Sequence, residues 1–182
     1  MCIEIWSLIV DFLTFIALII SVIFLYRQIS NEYNWNRRKA AQDIIFQISQ
    51  GDLLELRKKL NEYANDFYND ETYETAVLET KTKEEKTELN HTVRTYLSYL
   101  EGIALGIKQN LYEDKILYDY LGSALPEICR WAMPFIKDRR IKTKDEDIYI
   151  GLTRVAEKWK KRELKKCGIF KRYIQRVKRI FM

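Results

Sequence analysis

The sequence predicts an all-α chain: a single N-terminal transmembrane helix, a cytoplasmic helical bundle, and a C-terminal basic amphipathic helix. Three observations lead there. The run IWSLIVDFLTFIALIISVIFLY, Ile5 to Tyr26, carries one charge, Asp11, and its roughly 22 residues rise about 33 Å as a helix, enough to span a hydrocarbon core. Apolar residues then recur every three to five positions with no competing strand alternation. Finally, the closing segment GIFKRYIQRVKRIFM separates apolar from basic residues at helical spacing. The expected divisions are an anchor over 1–28, a bundle over 29–166 and a basic tail over 167–182.

Composition agrees with an ordered helical chain, since 182 residues with 47% hydrophobic, 31% charged, six Gly and two Pro suit one compact unit. The net charge of +5 conceals a polarity. From Arg154 to Arg179 twelve Lys and Arg face only Glu157 and Glu163, so this segment carries about +10 and the rest about −5. The three cysteines, Cys2, Cys129 and Cys167, have no metal or redox spacing and cannot all be paired, which fits a reducing compartment.

The N-terminal run reads as a membrane span rather than a cleaved signal. It has no basic region before it and no small-residue cleavage pattern after it. Glu4 is the only charge ahead of the span, whereas Arg27, Arg37, Arg38 and Lys39 follow, so the positive-inside rule puts the N-terminus outside and the C-terminal domain in the cytoplasm. Within the span Ser7, Asp11, Thr14, Leu18, Ser21, Leu25 and Gln28 recur in steps of four and three. This heptad stripe of small and polar groups predicts association with a second copy or with a partner's span, because polar contacts and close packing hold helices together in lipid. Asp11 has two readings: a packed or pore-facing carboxylate, or one that reaches water at the outer interface about 6 Å away.

Past the span, Ala40, Ile44, Ile45, Ile48, Leu53, Leu56 and Leu60 predict a long stalk helix, bent at Gly51-Asp52 and ended by the polar run 65–75. Thr82-Lys83-Glu84-Glu85 is a capping-box sequence opening a second long helix, whose apolar face is Leu89, Val93, Tyr96, Leu97, Leu100, Ile103, Ala104 and Ile107 and whose stop is Asn110. A short helix follows over Glu113 to Leu121. Ser123 is expected to cap the next, which buries Ile128, Trp131, Ala132, Phe135 and Ile136 and is kinked by Pro134. The last bundle helix is expected to begin near Thr143, with Asp145, Glu146 and Asp147 in its first turn and Ile148, Leu152, Val155 and Trp159 on its buried face.

The stretch LSYLEGIALGIKQNLYED, Leu97 to Asp114, has the outward form of a site, a glutamate beside two glycines. Ser98, Gly102 and Gly106 fall at successive i+4 positions, which predicts a small-residue ridge for close helix packing. Each interior glycine costs about 1 kcal/mol relative to Ala, so the ridge needs a compensating contact. Glu101 beside it is expected to fix register through a half-buried ion pair, with Arg94, Lys108 or a cation from another helix as partner.

No recognisable chemistry accompanies this frame. His91 has no Cys or second His near it in sequence, and the chain has no phosphate-binding glycine loop, nucleophile elbow or HExxH. The expectation is a protein that is not an enzyme and has no cofactor or metal. In the tail, Ile169, Phe170, Tyr173, Ile174, Val177, Ile180 and Phe181 share one arc, and Lys171, Arg172, Arg176, Lys178 and Arg179 the other. That pattern predicts a helix lying on an anionic lipid surface, with a partner's groove, nucleic-acid phosphate or ordinary packing on the bundle as the alternatives, the last two the less favoured.

The order of single span, juxtamembrane NWNRRKAAQDII and later TYLSYLEGIALGIKQNLYEDKIL resembles an uncharacterised bacterial family of small membrane-anchored helical proteins, that of domain of unknown function 4760. The likeness is closest at Tyr96, Leu97, Leu100, Glu101, Ile103, Ala104, Gly106 and Ile107. It implies a bacterial inner-membrane location and a helical cytoplasmic domain, brings no catalytic residues, and suggests an accessory role in phage defence or stress. The expected function is an interaction or sensor module acting through protein assembly, as a homo-oligomer or with a membrane-protein partner. The alternative is a membrane effector whose oligomerised spans perturb the bilayer.

Overall fold

The structure, a computed structural model, describes the backbone of residues 2–64, 72–80 and 82–180, and their side chains except those of 2–5, 7–9, 52 and 167–180. Its elements are all helices: α1 (Cys2–Gln50), α2 (Asp52–Tyr63), α3 (Tyr73–Glu79), α4 (Lys83–Lys108), α5 (Asp114–Leu121), α6 (Ala124–Thr143) and α7 (Ile150–Ile180). Among the described residues there is no strand.

The first helix is continuous over 49 residues, about 70 Å, because nothing from Ile3 to Gln50 is Gly or Pro. By length and composition it is able to cross a membrane, and the chain buries none of its apolar window. Trp6, Phe12, Phe15, Leu18, Phe24 and Tyr26 all stand exposed, and the first fully buried residue of α1 is Ala41. The helix therefore has two halves with different surroundings: an apolar one that is exposed among the described residues, and a stalk that joins the core. At Gly51 the helix breaks. The Gly51 amide still bonds the Gln47 carbonyl, and α2 restarts with Leu54 N donating to Gly51 O.

The core is organised on α4, which packs between α2 and α7, while α6 packs on α7 and α3, and the stalk lies on α2 and α5. The expected face of α4 is the buried one: Leu89, Val93, Tyr96, Leu97, Leu100, Ile103, Ala104 and Ile107. Its N-terminus carries the full capping box, with Thr82 Oγ1 accepting from Glu85 N at 3.1 Å and the Glu85 carboxylate accepting from Thr82 N at 2.8 Å. Its C-terminus ends at Asn110, whose φ of 58° turns the chain left-handed, while Leu111 N bonds Gly106 O and Asn110 N bonds Ile107 O.

Three expectations change. The helix α3, to which no helix was assigned, begins within the polar run 65–75 and continues past it to Glu79; it is held because Tyr73 sets its ring edge-on to Trp131 and Phe135 of α6, and residues 65–71 of that run lie outside the described ones. Ser123 makes no side-chain cap, since it is itself in helical conformation and α6 begins behind it. Thr143 ends α6 instead of starting α7. Lys144 is left-handed at φ 55°, and Asp145, Glu146 and Asp147 occupy the connecting loop. There the Asp145 carboxylate accepts from Asp147 N, and Arg140 Nε donates to Ile148 O. The backbone of α7 runs on as one helix from Ile150 through Cys167 and Gly168 to Ile180.

Candidate functional site: the segment from Leu97 to Asp114

Two ends of the Leu97 to Asp114 segment hold the two long outer helices of the molecule. At one end Glu101 reaches from α4 to the start of α7, where its carboxylate accepts from Gly151 N at 3.0 Å and Leu152 N at 2.7 Å. These are two of the amides that a helix N-terminus leaves without partners. Tyr149, just ahead, has φ of 57° and offers no side-chain oxygen to them, so the cap comes from another helix. The anion also meets the positive end of the α7 dipole. A Cβ on Gly151 would lie 2.8 Å from Glu101 Oε1, so the close approach depends on a glycine in α7.

The small-residue ridge divides accordingly. Ser98 and Gly102 are exposed, and a Cβ added at Gly102 would meet nothing within 4 Å. Among the described residues no helix packs there. A Cβ at Gly106 would instead fall 2.1 Å from the ring of Tyr112, which folds back from the loop after α4. The glycine makes room for its own helix's exit, and Glu101 caps a helix where an ion pair with Arg94, Lys108 or a cation from another helix was expected. We expect Gly102→Ala to raise stability by up to about 1 kcal/mol through helix propensity. Gly106→Ala should lower it by displacing Tyr112. Thermal unfolding of the two variants checks the contrast, which a common ridge would make equal in sign.

At the other end the loop 109–113 is gripped by the stalk. Tyr33 Oη donates to Asn110 O at 3.1 Å, Arg37 Nη2 lies 3.4 Å from Tyr112 O and 3.6 Å from Glu113 Oε2, and the Arg37 guanidinium sits over the Tyr33 ring at 5.7 Å. Immediately after the loop, Asp114 opens α5 and gathers α7. Its carboxylate accepts from Trp159 Nε1 and Lys158 Nζ, each at 2.9 Å, with Arg162 Nη1 at 3.6 Å. One helical turn on, the Tyr118 ring meets Trp159 edge-on and carries Arg162 and Lys166 at 4.2 and 4.4 Å from its centre. One short stretch thus ties the stalk to α7.

Sequence reasoning missed Gly151, Tyr33, Arg37 and Trp159 as partners of this segment, although each residue was visible as stalk or core. Of the span stripe, Asp11, Thr14, Leu18 and Ser21 stand exposed along α1, and the Ser7 side chain lies outside the described residues. The Thr14 and Ser21 hydroxyls donate to the carbonyls of Val10 and Ala17 in their own helix, each at 2.8 Å. The surface residues expected of the tail, Phe170, Lys171, Arg172, Ile174, Arg176, Val177, Lys178, Arg179 and Phe181, lie outside the described side chains.

Little else has the form of a reactive centre. Cys129 is buried between α6 and α7, where desolvation pushes its thiol up to about 11 against the partial relief of Arg140, so it stays protonated at neutral pH. His91 is exposed on α4. Among the described residues no group of three or more His, Cys, Asp or Glu is placed to hold a metal ion.

A comparison with protein families matches residues 12–159 to the family described as a domain of unknown function (DUF4760). The chain belongs to that family. The match takes in most of α1, the whole core and the Trp159 anchor, and leaves out α7 beyond that residue. No curated protein and no solved structure matches the chain.

Proposed function

We propose that this member of the DUF4760 family is a membrane-anchored interaction or sensor module. In this reading α1 crosses a bacterial inner membrane with its N-terminus outside, the helical domain sits in the cytoplasm, and the protein acts through assembly of its spans. The observation that carries the reading is the stalk. One unbroken helix joins an apolar segment that is exposed among the described residues to Tyr33 and Arg37, which hold the segment from Leu97 to Asp114. A rotation or shift of the span is then felt at the loop that also sets α7. Rigid helices transmit such displacements because packed cores have few intermediate arrangements.

Assembly through the span is the testable part. Thr14 and Ser21 spend their hydroxyl protons on their own backbone, which leaves their oxygens as acceptors and Asp11 as the charged group of the stripe. Cysteines at Thr14, Leu18 and Ser21 should cross-link in native membranes, and Asp11→Leu should weaken that cross-linking. Equal cross-linking at the off-stripe positions Ile16, Ile19 and Ile23, or no response to Asp11→Leu, would overturn the seam. The exposed Asp11 also supports a second reading, a membrane effector whose assembled spans perturb the bilayer, since an ionisable group inside a span ordinarily faces protein or water. Growth arrest on overexpression that Asp11→Leu abolishes would favour that reading. An accessory role in phage defence or stress fits either one.

A further inference from the structure

We infer that α7 brings its basic end down to the membrane surface beside the span, so that the domain stands on the cytoplasmic leaflet at a second point made of anionic lipid. The inference rests on the span reading above and deepens it by naming what the tail meets.

The register of the helices supplies the argument. The stalk runs antiparallel to α4: Tyr33 meets Asn110, whereas Ile48, fifteen residues further from the span, shares a cavity of about 400 Å³ with Tyr96 and Leu100. The last helix runs parallel to α4. Tyr149 Oη lies 3.5 Å from Arg94 O, Gly151 is held at Glu101, and Trp159 is held at Asp114, beyond the end of α4. It follows that α7 travels toward the span as its numbering rises. Neighbouring residues Glu113 and Asp114 put Arg37 of the stalk and Trp159 of α7 at one level.

From that level the apolar run of α1 ends about ten residues back, at Tyr26-Arg27, which is about 15 Å of helix. The same rise along α7 leads from Trp159 to Ile169. That is the residue at which the sequence changes from a lysine-rich helix to the amphipathic one that begins Ile169-Phe170. Ahead of it, over residues 158–166, Lys160, Lys161 and Lys165 are exposed on α7, as are Lys158 beside Asp114 and Lys166 beside the Tyr118 ring, with Glu163 the one acid of that stretch; they lie within about 15 Å of the surface, partly inside the ~8 Å reach of a membrane's field at physiological salt. Charge and level therefore select the same occupant.

The test uses the full chain in lipid nanodiscs, with Cys2→Ser, Cys129→Ala and Cys167→Ser and a fluorophore on Val177→Cys or, as a control at the far end of α4, on Lys83→Cys. In discs containing phosphatidylglycerol, nitroxide lipids should quench the Val177 label and leave the Lys83 label unaffected. Arg172→Gln with Lys178→Gln should weaken the attachment about five-fold per charge removed at low salt. A Val177 label that is open to water in anionic and neutral discs alike overturns the inference. So does a label shielded from both water and lipid quencher, the result expected if a protein groove or a second copy covers the tail. Carbonate extraction separates the two layers of the argument: release of the whole chain would sink the span reading, whereas retention with a water-exposed label would sink the tail contact alone.

Discussion

Replacing Trp159 by Ala is expected to lower the stability of the domain by about 3 to 5 kcal/mol, the range for truncating a fully buried large aromatic. Trp159 is 0% exposed, donates Nε1–H to Asp114 and meets Tyr118 edge-on at 5.7 Å. Its loss leaves a cavity and strips the carboxylate of its buried donor at once. Trp159→Phe separates these contributions, because the ring remains while Asp114 keeps Lys158 and the more distant Arg162; roughly 2 kcal/mol is expected, mostly the hydrogen bond to a charged acceptor. Denaturant unfolding of the detergent-solubilised chain, followed by circular dichroism, reads both. If Trp159→Ala costs under 1 kcal/mol, α7 is not anchored at α5, and the level argument for the tail loses its fixed point. Trp159 is also the last residue of the family match, so the anchor lies within the matched segment and the tail outside it.

Local rules recovered the parts of this fold whose causes are local. The capping box at Thr82 to Glu85 was legible because both partners lie three residues apart, and the face of α4 because its burial repeats at the helical period. Asn110 was legible as a stop because a left-handed residue is what a helix exit needs. The start of α7 was not. Three acids after Thr143 have the composition of a first turn, yet Asp145 spends its carboxylate on its own loop, and the cap arrives from Glu101, fifty residues earlier in the chain. Nothing near Ile150 announces that donor set. The small-residue ridge failed for a related reason: spacing says which side chains share a face, but only the neighbours decide whether that face is covered, and at Gly102 it is bare. In α3, seven residues are too few to show a period, and the aromatic contacts of Tyr73 that hold it are tertiary. The candidate site was therefore visible as a stretch and invisible as a set of partners.

The cap on α7 gives the second large expectation, and its sharpest form is a reversal of sign. Glu101→Ala should cost about 2 to 3 kcal/mol, since two amides at the start of a partly buried helix lose a charged acceptor. Gly151→Ala in the unaltered chain should also destabilise, because its Cβ would stand 2.8 Å from Glu101 Oε1 and 3.2 Å from a methyl of Leu105, forcing the carboxylate off the amides. Once Glu101 is already Ala, the obstruction at Gly151 is gone save for the flexible Leu105 side chain. What remains is the preference of a helix for Ala over Gly, so the same Gly151→Ala change should then stabilise by up to about 1 kcal/mol. A double-mutant cycle measured by thermal unfolding gives the coupling directly, and residues in contact are where such couplings reach 0.5 to about 3 kcal/mol. Additive effects would mean that Glu101 and Gly151 do not meet, and the two-ended role of the segment from Leu97 to Asp114 would reduce to its contacts with the stalk and with Trp159.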